Sequence, residues 1–599
     1  MKLSDYVMHF LHRQGTDHVF TVSGGGIMHL IDSLGRHPHL RYTCNYHEQS
    51  SAIAAENYSR IRGTLGACLV TTGPGSTNAL SGVAGAWVDS IPMIVLSGQV
   101  RRELIADYTK VRQLGPQEIN IDDMARPITK YFTTVMEPTR IRYELEKAVS
   151  IARHGRPGPV WINLPLDVQG ATVDESALPP YDGPGDDAGH DGAGLVAQAA
   201  EVSRLLRQSR RPVIIPGNGI RLANASGTFG RLVDQLQIPV VGTIGSTDAI
   251  HETHPCFMGR FGPLGQRRAN FTVQNADLIL GLGASLSVSS VGFNTESFAR
   301  RATKVMVNVD PYEIEKARPV PDLAITADVG QFMDAMLAAP APVWGSKLDP
   351  WWDACRAWRK RYALISDDYF GDITHANSYV FADVLSDALG PDDAVVTGNS
   401  LDWWSVYQAF KVKAGQRVYT NVNFGAMGWD IPAAIGACTG RHGRRTVLVT
   451  GDGTFQFSIH ELQTIAHNHL PIKIFVLNNG GYTSIRAMQE THFAGHLVGA
   501  DATSGVSHPS FRAIADAYAL RYGLIRTNAE LAPVIQSMLE GPDPVLCEVN
   551  IAPAQGRSPR VMSRRREDGT MESGTLENMY PFLPAEEVAS NMLMFEVEE

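Results

Sequence analysis

Apolar positions along the chain fall into a repeating rhythm. A short run of Val, Ile, Leu and Ala is followed by a glycine-rich turn, then by apolar residues at helical spacing. "GACLVTTGPGSTNALSGVAGAW", "RPVIIPGNGIRLANASGTFGRLVDQL" and "RRTVLVTGDGTFQFSIHELQTIAHN" are three instances, one in each third of the chain. Strands that alternate with helices predict parallel sheets covered by helices on both faces. Two stretches break the rhythm: "DESALPPYDGPGDDAGHDGAG" (174–194) and "AAPAPVWGSKLDP" (338–350). Both lack apolar periodicity and read as linkers. The expected fold class is therefore α/β, with three doubly wound parallel-sheet domains at residues 1–173, 190–340 and 351–550. A polar tail, 551–599, follows. A length of 599 residues, far more than one core supports, agrees with three domains.

Composition narrows the function classes. Apolar residues make up 44% and charged residues 19%, as in soluble globular proteins. A net charge of −10 lacks the basic surface that nucleic-acid binding needs. No apolar run reaches the roughly 18–20 residues that span a bilayer, so no membrane partner is expected. The start, "MKLSDYVMHFLHRQG", has a polar-interrupted helical pattern rather than that of a signal peptide. Six scattered cysteines without a CxxC predict a reduced, cytoplasmic protein free of disulfides.

Doubly wound sheets bind ligands at the carboxyl ends of their strands, where the glycine-rich turns lie. In "TGDGTFQFSIHELQTIAHNHLPIKIFVLNNGG" (450–481) one strand ends on Gly451, Asp452 and Gly453, and the next on Asn478 and Asn479. The two strands and the helix between them form one βαβ unit, so Asp452 and Asn479 should emerge at the same sheet edge. One carboxylate, one amide oxygen and backbone carbonyls suit Mg²⁺, which completes its octahedron with phosphate oxygens and water. Gly453 lets backbone approach an anion at a helix N-terminus. Upstream, "CNYHEQSSAIAAENYSR" (44–60) places Glu48 at the start of an Ala-rich helix. Taken alone, that is a carboxylate favoured by the helix dipole. Neighbouring His47 has no partner visible in the sequence and reads as a packed or surface histidine.

GDG followed by NN across a βαβ unit resembles the signature of thiamine-diphosphate (ThDP) enzymes. The likeness runs along nearly the whole chain to their acetolactate-synthase-like branch. It implies pyrimidine-binding, central and pyrophosphate-binding domains in that order. It also implies that Asp452, Asn479 and the Gly481 carbonyl hold Mg²⁺, with Gly451, Gly453, Thr454 and Tyr482 around the diphosphate. Glu48 matches the family's HEQ segment, whose acid hydrogen-bonds the cofactor's pyrimidine. A carboxyl in an apolar, poorly solvated pocket can share a proton at neutral pH. In "NFGAMGWDIPAAIGA" Met427 matches the side chain wedged between the cofactor rings, and the Gly425 carbonyl matches the acceptor of its amino group. Asn399 and Ser400 match the loop that touches the diphosphate, although the family's VGQH wording is not kept.

The resemblance extends to the reaction centre. Gly24 and Gly25 match a Gly-Gly turn there, and Gln117 in "RQLGPQEINI" matches a Phe-Gln-Glu motif, with Pro116 in place of Phe. Ile485 stands where the family has an aliphatic side chain over the thiazolium, and Met488 stands near the position of the acetolactate-synthase Trp. Because Glu48 and Asp452 belong to different domains, which the family draws from different subunits, a homodimer or homotetramer with interface active sites is implied. The implied substrates are a 2-oxo acid donor, with pyruvate as the first candidate, and a carbonyl acceptor.

Departures concern the acceptor. Ser285 and Ser289 replace two arginines of the family's GARFDDR segment, and losing a bidentate arginine is not conservative. The wording is closest to a subgroup that adds a two-carbon acyl unit to an aldehyde or ketone in sugar and natural-product pathways. Acetolactate synthesis and simple decarboxylation are the alternatives within the family. A non-catalytic nucleotide- or CoA-binding paralogue is the alternative outside enzymes. In the tail, Arg557, Arg560, Arg564, Arg565 and Arg566 read as a solvated loop, with a lid over a charged acceptor as the alternative. "GRFGPLGQRRANF" and "VNVDPYEIEK" loosely resemble flavin-contacting regions of the branch, but no GxGxxG is present, so FAD stays open.

Overall fold

The computed structural model describes residues 1–183, 192–421, 423–565, 568 and 570–593. Its strands build three six-stranded sheets, each wholly parallel. In the first, β1 (His18–Thr21), β2 (Arg41–Cys44), β3 (Gly66–Val70), β4 (Met93–Gln99), β5 (Tyr131–Thr134) and β6 (Val160–Pro165) lie in the order β2-β1-β3-β4-β6-β5. The central sheet runs β12-β11-β10-β7-β8-β9, from β7 (Pro212–Pro216), β8 (Val240–Gly242), β9 (Phe257–Arg260), β10 (Leu278–Leu282), β11 (Thr303–Asn308) and β12 (Leu323–Thr326). The third contains β13 (Ala394–Thr397), β14 (Arg417–Tyr419), β15 (Thr446–Gly451), β16 (Ile472–Asn478), β17 (Arg521–Ile525) and β18 (Val545–Asn550), in the order β14-β13-β15-β16-β18-β17. Strands such as "GACLV" and "IKIFVLN" are almost entirely buried, as expected where helices cover both faces.

The first and third sheets share one strand order, so they present corresponding loops at their switch points. Gly24 and Gly25 follow β1, Glu48 follows β2, and residues 71–75 follow β3. Asn399 and Ser400 follow β13, the 425–427 turn follows β14, and Asp452 follows β15.

The helices after β2 and β14, Glu48–Arg62 and Asp430–Gly440, pack on each other, and one apolar core runs through both domains. Their small residues allow this. A Cβ at Gly436 would lie 2.1 Å from the Ala54 carbonyl oxygen, and Ala52, Ala55, Ala433 and Ala437 are fully buried. Glu461 of the third domain also accepts from Asn45 Nδ2 (2.9 Å) and the Tyr46 amide (3.0 Å).

Beyond β18 the chain docks on the central domain. Asn270 Nδ2 donates to the Leu576 carbonyl (3.0 Å), and Trp358 Nε1 to Asn591 Oδ1 (2.8 Å). A hairpin pairs β19 (Arg560–Val561) with β22 (Met579–Tyr580), and β20 (Arg564–Arg565) with β21 (Met571–Glu572). Arg566 lies outside the described residues.

Candidate active site

The first domain assembles one cluster. Glu48 opens its helix, and the helix is capped by His47, whose Nδ1 accepts from the Gln49 amide at 3.1 Å. His47 thus has a structural task that its sequence context did not reveal. Asn78 Nδ2 donates to Glu48 Oε2 at 2.9 Å, and Glu48 Oε1 lies 3.2 Å from where a Gly75 Cβ would stand. Within the single chain Glu48 is half-buried and hydrogen-bonded rather than enclosed by apolar groups. Gly24 packs on Thr71, where a Cβ would meet side-chain atoms at 2.5–2.8 Å, whereas Gly25 faces open space. Gln117, at φ 67°, lays its carbonyl against Gly73. Gly24, Glu48 and Gln117 are therefore brought together, with Pro116 exposed beside them. Gly75 and Asn78 were missed in the sequence; Pro74 at the first position of a helix after a Gly-rich strand end was the available signal.

The third domain assembles another. Asp452 is 2% exposed; its Oδ1 accepts from the Gly453 amide (2.7 Å), and its Oδ2 from the amides of Asn479 (3.1 Å) and Gly481 (3.0 Å). Burial pushes this carboxyl above its usual range, while His508, whose Nε2 lies 3.7 Å away, and the three amides pull it down. Asn479 Nδ2 is held by the Thr483 hydroxyl, but its Oδ1 is buried without a partner. A carboxylate beside an orphaned amide oxygen is a hard-cation donor set. Among the described residues no group of three or more His, Cys, Asp or Glu is placed to hold a metal; here the amide and backbone would supply the remaining donors.

The surrounding turns converge on this pair. The Tyr482 ring lies against Gly453, where a Cβ would sit 2.2 Å from Cε1. The Thr454 hydroxyl accepts from the Gly428 amide (2.8 Å), and Asn399 Nδ2 donates to the Ala426 carbonyl (3.2 Å), fixing the turn that carries Gly425 and Met427. Gly425, at φ 67°, is exposed, and Met427 is half-buried. Ser400 and Ser484 hydroxyls stand 3.1 Å apart. Ile485 and Met488, on the helix Thr483–His492, are 39% and 40% exposed.

Two buried acids lie under this loop. Asp402 Oδ1 accepts from the Ser400 amide (2.8 Å), while its Oδ2 has no partner. A Cβ on Gly398 would stand 2.0 Å from that oxygen and 3.4 Å from Asp430 Oδ2. Burial first, then the neighbouring Asp430, push the Asp402 carboxyl up to about 7. The folded protein therefore keeps this proton to about 7, whereas the unfolded chain releases it near the ordinary value of about 4. Stability from this group is full below about 4 and is lost as pH rises toward and through 7. Asp402→Asn is expected to raise the thermal midpoint at pH 8, with the difference from wild type shrinking toward pH 5. Thermal unfolding across pH checks this; a pH-independent difference would contradict it.

Glu48 and the strand-end segment carrying Gly425 meet different parts of the helix Pro74–Asp89. Glu48 contacts Asn78 and Gly75, in the first turns of the helix Pro74–Asp89. The strand-end segment carrying Gly425 instead meets the far end of that helix. Asn421 Nδ2 lies 3.0 Å from a Cβ at Gly85, and Asn423 Nδ2 donates to Asp89 Oδ1 at 2.7 Å. At 1.5 Å per residue these points are about 10 Å or more apart along the axis.

In the central domain a cleft opens at the carboxyl ends of β7, β8, β10 and β11, lined by Gly217, Thr243, Gly283, Ser285, Ser289 and Asn308. The strand order reverses between β7 and β10, the usual place for a nucleotide in such sheets.

The scaffold is that of a three-domain α/β protein whose third domain carries a hard-cation donor set at its strand ends. Residues 1–125, 199–336 and 397–549 match, in turn, the families described as thiamine pyrophosphate enzyme N-terminal TPP binding domain, central domain and C-terminal TPP binding domain. Acetolactate synthase 2, chloroplastic, of Zea mays is 31% identical over 568 residues, covering 92% of this chain and 86% of the relative. The acetolactate synthase isozyme 2 large subunit of Escherichia coli (strain K12) is 28% identical over 609 residues, 99% of each chain. The acetolactate synthase large subunit of Pyropia yezoensis is 29% identical over 562 residues, 92% of each chain. The chain belongs to the thiamine-diphosphate-dependent, acetolactate-synthase-like enzymes.

Proposed function

We propose that this enzyme is a Mg²⁺-requiring carboligase. It decarboxylates a 2-oxo acid, pyruvate first among them, and transfers the two-carbon acyl unit to an aldehyde or ketone in sugar or natural-product biosynthesis. One observation carries the reading: Glu48 on its Asn78 hook coexists with an unpartnered Asn479 Oδ1 beside buried Asp452. When bound, ThDP supplies a carbon that attacks the 2-oxo group and takes up the electron pair left by CO₂. The chain does the rest. Glu48 would hold and move a proton at the pyrimidine nitrogen. Asp452, Asn479 and the Gly481 carbonyl would hold Mg²⁺, whose charge a buried carboxylate needs. Gly453 leaves room for the Tyr482 ring, and Asn399, Ser400 and Tyr482 would line the diphosphate. Met427 and Ile485 would press on the cofactor, and Gly25, Gln117 and Met488 would face the substrates.

The separation of the two clusters along Pro74–Asp89 supports active sites built between two copies, in a homodimer or homotetramer. Exposed Tyr46, Phe424, Phe457 and Phe493 give such an assembly apolar surface to cover. The absence of arginine at Ser285 and Ser289 favours an acceptor other than a second pyruvate, against acetolactate synthesis. The central cleft supports a bound nucleotide; yellow purified protein would identify it as FAD.

The test is CO₂ release from pyruvate by the enzyme loaded with ThDP and Mg²⁺, followed by mass spectrometry of mixtures with aldehydes and ketones. A product heavier than the acceptor by one two-carbon acyl unit is expected. Acetolactate formed from pyruvate alone as the fastest product would overturn the acceptor assignment.

A further inference from the structure

Several buried arginines in this chain come with acids: Arg60 with Glu56 and Asp89, Arg268 with Glu252, Arg417 with Asp248. Half-buried Arg557 and Arg560 differ. They lie on the stretch after β18, which is wedged between the third and central domains. The Ser558 amide donates to the Tyr379 hydroxyl (3.0 Å), Gln408 Nε2 to the Pro559 carbonyl (2.8 Å), and the Val561 amide to the Pro263 carbonyl (2.7 Å). The Arg557 guanidinium stacks 3.7 Å over the ring of Trp404. Arg560 Nε is buried and lacks a hydrogen-bond partner. Among the described residues neither arginine has an ion pair. Burial, then the neighbouring Arg560, lower Arg557 to about 10.

Two partly buried guanidinium groups three residues apart without a counter-charge are costly unless an anion completes them. Their surroundings locate that anion. Trp404 sits one helical turn after Ser400, its amide donating to the Ser400 carbonyl at 3.0 Å. Arg486, between Ile485 and Met488 in sequence, anchors the same stretch through the Pro553 carbonyl (2.9 Å). On the other side, Pro263 follows Gly262, where a Cβ would lie 3.4 Å from the Ser289 carbonyl. The stretch thus passes between the helix of Ile485 and Met488 and the segment that has lost its arginines.

Resting on the carboligase reading, we propose that Arg557 and Arg560 recognise an anionic group, phosphate or carboxylate, on the acceptor, supplying from the tail the positive charge that Ser285 and Ser289 no longer provide. Arg557 is held flat by Trp404 so that its fork can meet an oxyanion in bidentate fashion.

Calorimetric titration of the ThDP- and Mg²⁺-loaded enzyme with inorganic phosphate, and separately with malonate, tests this. Saturable binding of at least one probe is expected, weakened by about tenfold or more in Arg557→Gln and in Arg560→Gln. Phosphate alone identifies a phosphate-bearing acceptor; malonate alone, a carboxylate. Arg557→Lys, which keeps the charge but loses the fork, is expected to fall between wild type and Arg557→Gln, and it replaces that variant should it fail to fold. No binding of either probe by wild type, or equal binding by all variants, overturns the proposal. Loss of CO₂ release from pyruvate in wild type would instead overturn the carboligase reading, with the anion titration still deciding the arginines.

Discussion

Glu48→Gln is expected to lower CO₂ release from pyruvate by about 100-fold or more, the usual share of a positioned acid–base group. The amide keeps the size of the side chain and can still meet Asn78, so the helix start and its His47 cap should persist. It cannot hold and return a proton at the pyrimidine. Cofactor affinity should therefore fall by no more than about tenfold, the value of one neutral hydrogen bond. Turnover of each variant, with ThDP affinity measured separately by titration, checks this. Wild-type turnover in Glu48→Gln would remove the chemical basis of the reading.

Asn479→Ala is expected to act at the other end of the cofactor and with the opposite pattern. The orphaned Oδ1 disappears, while Asp452 keeps its three backbone donors, because the 479 and 481 amides do not depend on the side chain. The fold should hold. ThDP and Mg²⁺ affinity should drop by at least about 100-fold, beyond the effect of removing an outer-shell partner, with turnover partly restored at high cofactor. Titrations of ThDP at several Mg²⁺ concentrations read this out. Unchanged affinity would mean that the cation is held elsewhere.

Much of the site was legible because its parts are local. Asp452 and Asn479 close one βαβ unit, so strand periodicity alone puts them on one edge. The three sheets were equally legible, since most strands are short buried apolar runs, although edge strands such as Arg41–Cys44 and Arg521–Ile525 are not. Glu48 was legible only through its likeness to a family, because a carboxylate at a helix start is common. What stayed hidden is tertiary. Asn78 reaches Glu48 across 30 residues, and His508 approaches Asp452 from a distant loop. Asp402 and Asp430, 28 residues apart, come to face the same glycine, Gly398. Arg557 and Arg560 could be counted in the sequence, but their lack of an acid among the described residues became visible only once the stretch was seen packed on Trp404 and Pro263. The shared strand order of the first and third sheets has no sequence signal that periodicity could detect.

That shared order leads to the central claim, a site whose halves come from two copies of the chain. Co-expressing Glu48→Gln with Asn479→Ala tests it most directly, at a cofactor level where each variant alone is inactive. Random pairing makes half the dimers mixed, and each mixed dimer would hold one intact and one doubly altered site. About a quarter of wild-type CO₂ release from pyruvate should return. Activity no higher than that of the separate variants would contradict a split site.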